Sequence, residues 1–390
     1  LDEHQLLLIP GPTPVPPSVL LSGARPMINH RGPEFAQLIK DCTESLKRVF
    51  QTKHDVFILT GAGTGGLEAA VVNMLSPGDK VLAVSIGVFG DRFATIAEAF
   101  GADVEKMSFE MGQAADPRKI EQRLAADTGK EIKAVLVTQN ETSTGVMNDL
   151  SVIGPIIHEH GALALVDGIS SLLAMDCQMD NWGLDVVVAT AQKAFMVPPG
   201  ISFIAANNRA LAAMEQAKMP RVYWDLKRAK QYLDQGQTPW TPAVPQFWQL
   251  GDALRIIEQE GLQASFARHA RMGRMARAGV QALGLRLFAD PAYASSAVTA
   301  VWKPDNIKTA DLRKLLREKY GVVLAGGQGK VKDDIFRIGH LGYTREVDII
   351  AALGALGLAL KELGADVDPG AGAAAAVKAL APSGAEGVEG

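Results

Sequence analysis

A single lysine leaves an apolar run at Lys193. Residues 184–189, Leu-Asp-Val-Val-Val-Ala, hold three β-branched residues in a row, and a rigid Pro198-Pro199-Gly200 turn closes the stretch soon afterwards. The pattern predicts a buried strand with the lysine just past its end. Removing an ammonium from water disfavours its charged form, which lowers the pKa and frees the amine to attack a carbonyl and form a Schiff base. Taken alone, the same residue also reads as a lysine snorkelling to solvent at a strand end. Residues 61–66, Gly-Ala-Gly-Thr-Gly-Gly, fall between a predicted strand (55–59) and a predicted helix (67–75). Free backbone N–H groups and the helix dipole at such a junction suit a phosphate. The turn lacks the Lys-Ser/Thr pair of a P-loop and the acid of a dinucleotide fingerprint, so alone it also reads as a tight turn without a ligand. Asp167 ends another apolar run, 162–166, where an acid often serves only as a helix cap.

If one sheet is built from these strands, its edge carries a phosphate cradle, an amine and an acid able to keep a pyridinium nitrogen protonated. Together they describe pyridoxal 5'-phosphate, whose capacity as an electron sink depends on that protonated ring.

The elements that must position these groups follow from periodicity. Residues 9–17 hold too many prolines for a helix or a central strand and predict an extended arm. Phe35, Leu38, Ile39, Cys42, Leu46, Val49 and Phe50 fall at helical spacing. Between 54 and 206 short apolar strands (55–59, 80–84, 132–137, 162–167, 184–189, 201–206) alternate with helices, which predicts a mostly parallel sheet buried on both faces, with ligands at the carboxyl ends of its strands. A long helical stretch over 247–283, broken near Gly261, leads to a smaller α/β unit with strands at 297–302, 322–325 and 335–338 and helices at 309–320 and 344–363. The expected organisation is an arm over 1–20, a large domain over 21–260, a small C-terminal domain over 261–364 and a disordered tail over 365–390, whose Ala/Gly-rich end has little to bury.

Bulk properties narrow the class. A chain of 390 residues with 47% apolar content can build two cores. A net charge of -4 provides no basic stripe for nucleic acid. Cys42 and Cys177 are too few for a disulfide framework or a zinc site of usual spacing, as expected of a reducing cytoplasm. No apolar run reaches membrane-spanning length, and the first residues lack the order of a signal peptide. The reading is therefore a cytoplasmic protein without nucleic-acid or membrane partners.

With those residues in view, the chain resembles the class V aminotransferases of fold type I, in particular the alanine–glyoxylate, serine–glyoxylate and serine–pyruvate branch, over residues 5–364. The motifs that carry the resemblance are Pro10-Gly11-Pro12-Thr13, Gly61-Ala62-Gly63-Thr64-Gly65 with Glu68, Asn140-Glu141-Thr142-Ser143-Thr144-Gly145, Asp167 with Ser170-Ser171, Gln192-Lys193 with Pro198-Pro199-Gly200, and Phe336-Arg337-Ile338-Gly339. The resemblance implies the fold type I architecture, pyridoxal 5'-phosphate as cofactor, and a homodimer with active sites at the interface. It also implies that Lys193 binds the cofactor and then moves the proton at the substrate Cα, and that Asp167 pairs with the pyridine nitrogen. Phe89 would stack on the ring, although its local pattern also fits packing at a helix start. Ala62, Gly63 and Thr64 would contact the phosphate with help from Gln192, Thr142 would sit near the ring oxygen, and Thr241 would reach the phosphate of the neighbouring subunit. Arg337 matches the residue that grips the substrate α-carboxylate, a task suited to a planar guanidinium with two parallel N–H bonds.

The activity implied is transfer of an amino group from a small amino acid, alanine or serine, to glyoxylate or pyruvate by ping-pong half-reactions. No second basic residue is evident for a side-chain carboxylate. Ureidoglycine–glyoxylate transamination stays open. A lyase such as a cysteine desulfurase needs a cysteine on a mobile loop, which neither Cys42 nor Cys177 supplies. A non-catalytic subunit on the same fold, as in hydrogenase-associated relatives, is opposed by the joint presence of Lys193, Asp167 and Arg337.

Overall fold

A computed structural model describes residues 5–380. The chain opens with β1 (Leu6–Leu8) and α1 (Pro17–Ser22), joined by the proline-rich arm, and continues into α2 (Pro33–Phe50). The apolar stripe of α2 is buried as its spacing requires, with Phe35, Ile39, Cys42, Leu46, Val49 and Phe50 all in the core. A strand–helix alternation follows: β2 (Asp55–Thr60), α3 (Gly63–Met74), β3 (Lys80–Ser85), α4 (Val88–Ala99), β4 (Asp103–Ser108), α5 (Pro117–Ala125) and β5 (Ile132–Thr138). A short hairpin, β6 (Asn140–Glu141) and β7 (Val146–Met147), interrupts it before α6 (Leu150–His160), β8 (Leu163–Asp167), β9 (Val186–Thr190) and β10 (Ile201–Ala206).

Seven of these strands form one sheet in the order β2-β10-β9-β8-β5-β3-β4. Only β10 runs against its neighbours, pairing antiparallel with β2 and β9. Apolar clusters cover both faces, and β8, β9 and β10 are buried along their whole length. That explains why these strands read as continuous apolar runs. The edge strand β4 is polar and mostly exposed, so it carries no such signature.

After α7 (Asn208–Met214) and α8 (Leu226–Leu233), the long helical stretch is α9 (Val244–Glu260) and α10 (Leu262–Ala282). Gly261 breaks it at φ +82, a backbone setting that glycine adopts readily. Next come β11 (Val298–Trp302), α11 (Thr309–Tyr320), β12 (Val322–Gly326), β13 (Ile335–Gly339) and α12 (Glu346–Glu362). A second sheet has the order β1-β12-β13-β11, so the start of the chain is a strand of the C-terminal layer.

The expected disordered tail is corrected for part of its length. Residues 371–380 form α13 (Ala371–Leu380), whose Ala376 is fully buried against the cluster shared with α10 and α12. Alanine is the best helix former, and small residues such as Gly279 and Gly372 allow the backbones of α10 and α13 to meet closely. The rest of that expectation, 381–390, lies outside the described residues.

Candidate active site

Lys193 sits three residues beyond β9, at the carboxyl end of the large sheet. The turn after it is held by Met196 N–H donating to the Lys193 carbonyl, with Met196 at φ +59, an uncommon setting for a side chain of its size. The Lys193 amine lines a cavity of about 330 Å³ and donates to the carbonyl of Pro10 in the arm. Thr13 fastens the arm there, its N–H donating to Gln192 O (3.1 Å) and its hydroxyl to Lys193 O (2.9 Å). Gly11 is required at this crossing, because a Cβ in its place would lie 2.6 Å from Lys193 Nζ and its φ is +128. Burial pushes the Lys193 ammonium down to about 8; Asp167 pulls it up, and Arg337 and Arg92 push it further down.

Asp167 ends β8 and is 4% exposed. Its Oδ1 accepts from Ile169 N–H at 2.9 Å. Burial raises its carboxyl to about 7, which the bond from Ile169 partly opposes. A cationic ring nitrogen against this acid would reverse the rise, since an adjacent positive charge favours the carboxylate.

The glycine-rich segment proves to be the first turn of α3, which begins at Gly63 and not at 67. Trp224 explains part of its composition: a Cβ at Gly61 or Gly65 would lie 2.7 Å from the indole, whose Nε1 donates to Glu68 at 3.0 Å. Ala62 is the N-cap and offers no side-chain acceptor. The first intrahelical bond runs from Gly66 N–H to Ala62 O, leaving Gly63, Thr64 and Gly65 N–H without a partner among the described residues. Free N–H groups at a helix N-terminus, with Gly63 and Thr64 lining the cavity, together with an amine and a buried acid on the same cavity, are the groups that pyridoxal phosphate requires.

Of the ten residues expected at the site, eight line this cavity: Ala62, Gly63, Thr64, Phe89, Thr142, Asp167, Gln192 and Lys193. Arg337 lies beside it on β13, 4% exposed, with Nε donating to Gly326 O (2.8 Å) and Nη1 to Thr142 O (2.7 Å). Burial lowers its guanidinium to about 10. Thr241 is exposed on the surface beyond Trp240, away from the cavity of its own chain. His30 and Arg31, in the loop before α2, also lie outside it, and Arg31 donates to Gln237 Oε1 and Thr238 O.

One expectation is overturned by the cavity wall. A second basic residue is present: Arg92 lines the cavity, stacked over Phe89 with 4.7 Å from Cζ to the ring centroid. Its place one turn along α4 from Phe89 follows once α4 is known to start at Val88. The Pro10 carbonyl and Asn140 also escaped assignment, although both belong to motifs visible in the sequence.

The chain matches the family described as Aminotransferase class-V over residues 18–338. It belongs to that family. It is 43% identical to the soluble hydrogenase 42 kDa subunit of Anabaena cylindrica, across 97% of this chain and 99% of the relative. It is 36% identical to the serine–glyoxylate aminotransferase of Methylorubrum extorquens, across 95% and 94%. The structure superposes on ureidoglycine–glyoxylate aminotransferase from Bacillus subtilis with a TM-score of 0.91 at 29% identity, covering 96% of this chain and 98% of that one. The protein is thus a fold type I, pyridoxal-phosphate-dependent aminotransferase. Both cysteines are buried, and burial raises the Cys42 thiol to about 12 and the Cys177 thiol higher still, which suits neither to sulfur transfer.

Proposed function

We propose that the protein transfers the amino group of alanine or serine to glyoxylate or pyruvate, working as a cytoplasmic homodimer in which Thr241 of each protomer completes the phosphate site of the other. The observation that carries this reading is the meeting of Lys193, Asp167 and the open end of α3 around one cavity. When bound, pyridoxal phosphate supplies the electron sink that makes a Cα proton removable. The N–H groups of Gly63, Thr64 and Gly65 hold the phosphate, Asp167 keeps a proton on the ring nitrogen, and Phe89 fixes the ring plane. Arg337 holds the α-carboxylate with the N–H groups it does not spend on Gly326 and Thr142. Lys193, with an amine whose pKa lies near 8, takes the Cα proton and returns it to the cofactor side. Lys193→Ala should therefore abolish turnover while the cofactor still binds without a covalent link.

Arg92 favours a second reading, an amino donor with a side-chain carboxylate, because its guanidinium has no ion-pair or hydrogen-bond partner among the described residues and faces the cavity. Single amino acids added to the holoenzyme separate the two. Bleaching of the visible cofactor band by alanine or serine, with glycine formed when glyoxylate follows, supports the first reading. A response to aspartate or glutamate alone, lost in Arg92→Gln, replaces it with the second.

A further inference from the structure

Glu141 is fully buried and has no part in the chemistry assigned above. Its carboxylate accepts four hydrogen bonds, two on each oxygen. Oε2 takes Phe89 N–H at 2.9 Å and Gly90 N–H at 3.1 Å; Oε1 takes Ser143 N–H at 3.0 Å and Ser143 Oγ–H at 2.6 Å. The same Ser143 oxygen accepts Val88 N–H at 3.1 Å. The first intrahelical bond of α4 runs from Asp91 N–H to Gly87 O, so Val88, Phe89 and Gly90 are the residues whose N–H groups a helix cannot satisfy internally. Glu141 and Ser143 satisfy all three from 51 to 55 residues away. Gly87, the N-cap, has no side chain to do so, and a Cβ there would lie 2.6 Å from the Glu141 side chain.

The carboxylate also joins two walls of the cavity. On one side is α4, which carries Phe89 and Arg92 into the site. On the other is the loop after β6, in which Thr142 lines the cavity and lends its carbonyl to Arg337. We infer that Glu141 is a positioning residue for the cofactor: a buried anion that caps α4 from the opposite wall and so fixes the plane of Phe89 relative to Thr142 and Arg337. This rests on the reading that Phe89 stacks on the pyridoxal ring.

Glu141→Gln keeps the shape but puts an amide donor where one pair of donors needs an acceptor. Full-length chain freed of cofactor is titrated with pyridoxal 5'-phosphate, and the visible circular dichroism of the bound cofactor is recorded. A loss of charge-assisted hydrogen bonds on this scale should weaken binding by about tenfold. The dichroism should change in amplitude, which a purely structural loss of stability would not cause. Because Glu141 acts through Phe89, its effect should largely disappear in a Phe89→Ala background, a non-additive double-mutant cycle. Ser143→Ala, which leaves the charge in place, should weaken binding about threefold in the same non-additive manner and serves if Glu141→Gln does not fold. The proposal is overturned if the folded variants of Glu141 and Ser143 bind cofactor within about twofold of the parent with unchanged dichroism, or if their effects add fully to that of Phe89→Ala. If Phe89→Ala itself leaves cofactor affinity unchanged, the stacking assignment falls first and takes the proposal with it.

Discussion

Two helices of the large sheet begin in the same way and end up with opposite fates at their N-termini. Both α3 and α4 follow strands of that sheet, both lack a capping side chain of their own, and both have a first intrahelical bond that leaves three N–H groups over. At α4 the three are consumed by Glu141 and Ser143. At α3 they have no partner among the described residues, and two of them, those of Gly63 and Thr64, belong to residues that line the cavity. Four other helices have local caps, since Asp116, Asp149, Asn207 and Asp225 each accept a backbone N–H of the helix they begin, whereas α1, α2, α9, α10 and α11 have none. What sets the open end of α3 apart is that Gly63 and Thr64 line the cavity beside Lys193 and Asp167, and under the proposed function the contrast gives one terminus the phosphate and the other the wall against which the ring would lie.

The most direct way to break this contrast is to close α3. Ala62 already has the extended backbone of an N-cap, at φ -70 and ψ 163. Ala62→Asp should cap the helix as Asp116 caps α5, raising the stability of the cofactor-free protein by about 1 kcal/mol. The same carboxylate would lie near the bound phosphate, where like charges about 4 Å apart repel by roughly 4 kcal/mol at an effective dielectric near 20. After screening, cofactor affinity should fall about a hundredfold or more. Thermal unfolding of the apoprotein and a pyridoxal phosphate titration read both arms. Unchanged affinity would mean that the phosphate does not sit at this terminus.

Asp167 offers the next largest effect. Its carboxyl is raised from an ordinary 3.8 to about 7, so the folded protein holds this proton more tightly than the unfolded chain does. The sign follows: below pH 4 the group costs nothing, the cost of ionising it in place grows as pH rises, and it is complete above about 7. Asp167→Asn should then stabilise the apoprotein at pH 8 by up to roughly 4 kcal/mol while leaving it unchanged at pH 4. In the holoenzyme the gain should reverse, because the acid proposed to hold the ring nitrogen protonated is gone. Equal stability of both apoproteins at pH 8 would remove the argument that the site is held at a cost for the cofactor's charge.

The difference between the two termini also marks what could be read in the sequence. Buried strands were legible because their residues are apolar on both faces, and β5, β8, β9 and β10 stand where their runs predicted. The Gly261 break and the α11 boundaries were legible for the same local reasons. Polar elements such as β4 and α5 carry weaker patterns and escaped notice. So did α13, because an Ala/Gly composition looks unable to bury anything until a neighbouring helix is seen to accept it at close range. At the site, residues whose role follows from a strand end, Lys193 and Asp167, were found from pattern. Glu141, Ser143 and the Pro10 carbonyl were not, since each acts across at least 51 positions, and nothing in a local window reports which helix a buried acid caps.

The smallest effect tests how the two walls set the amine between them. Lys193 is lowered from 10.5 to about 8 chiefly by burial, with Arg92 of α4 and Arg337 adding to the fall and Asp167 opposing it. Only the neutral amine attacks a carbonyl, so the rate at which apoprotein captures pyridoxal phosphate should rise about tenfold per pH unit below 8 and level off above it. Stopped-flow absorbance between pH 6 and 10, corrected for titration of the free cofactor, gives the midpoint. Arg92→Gln removes a push downward and should move the midpoint up, whereas Asp167→Asn removes a pull upward and should move it down. These opposite signs matter more than their size, since a general loosening of the cavity would hydrate the amine and move both variants up towards 10.5. A midpoint near 10.5 in the parent would mean that Lys193 is solvated like a surface lysine, and the snorkelling reading of its strand end would then stand.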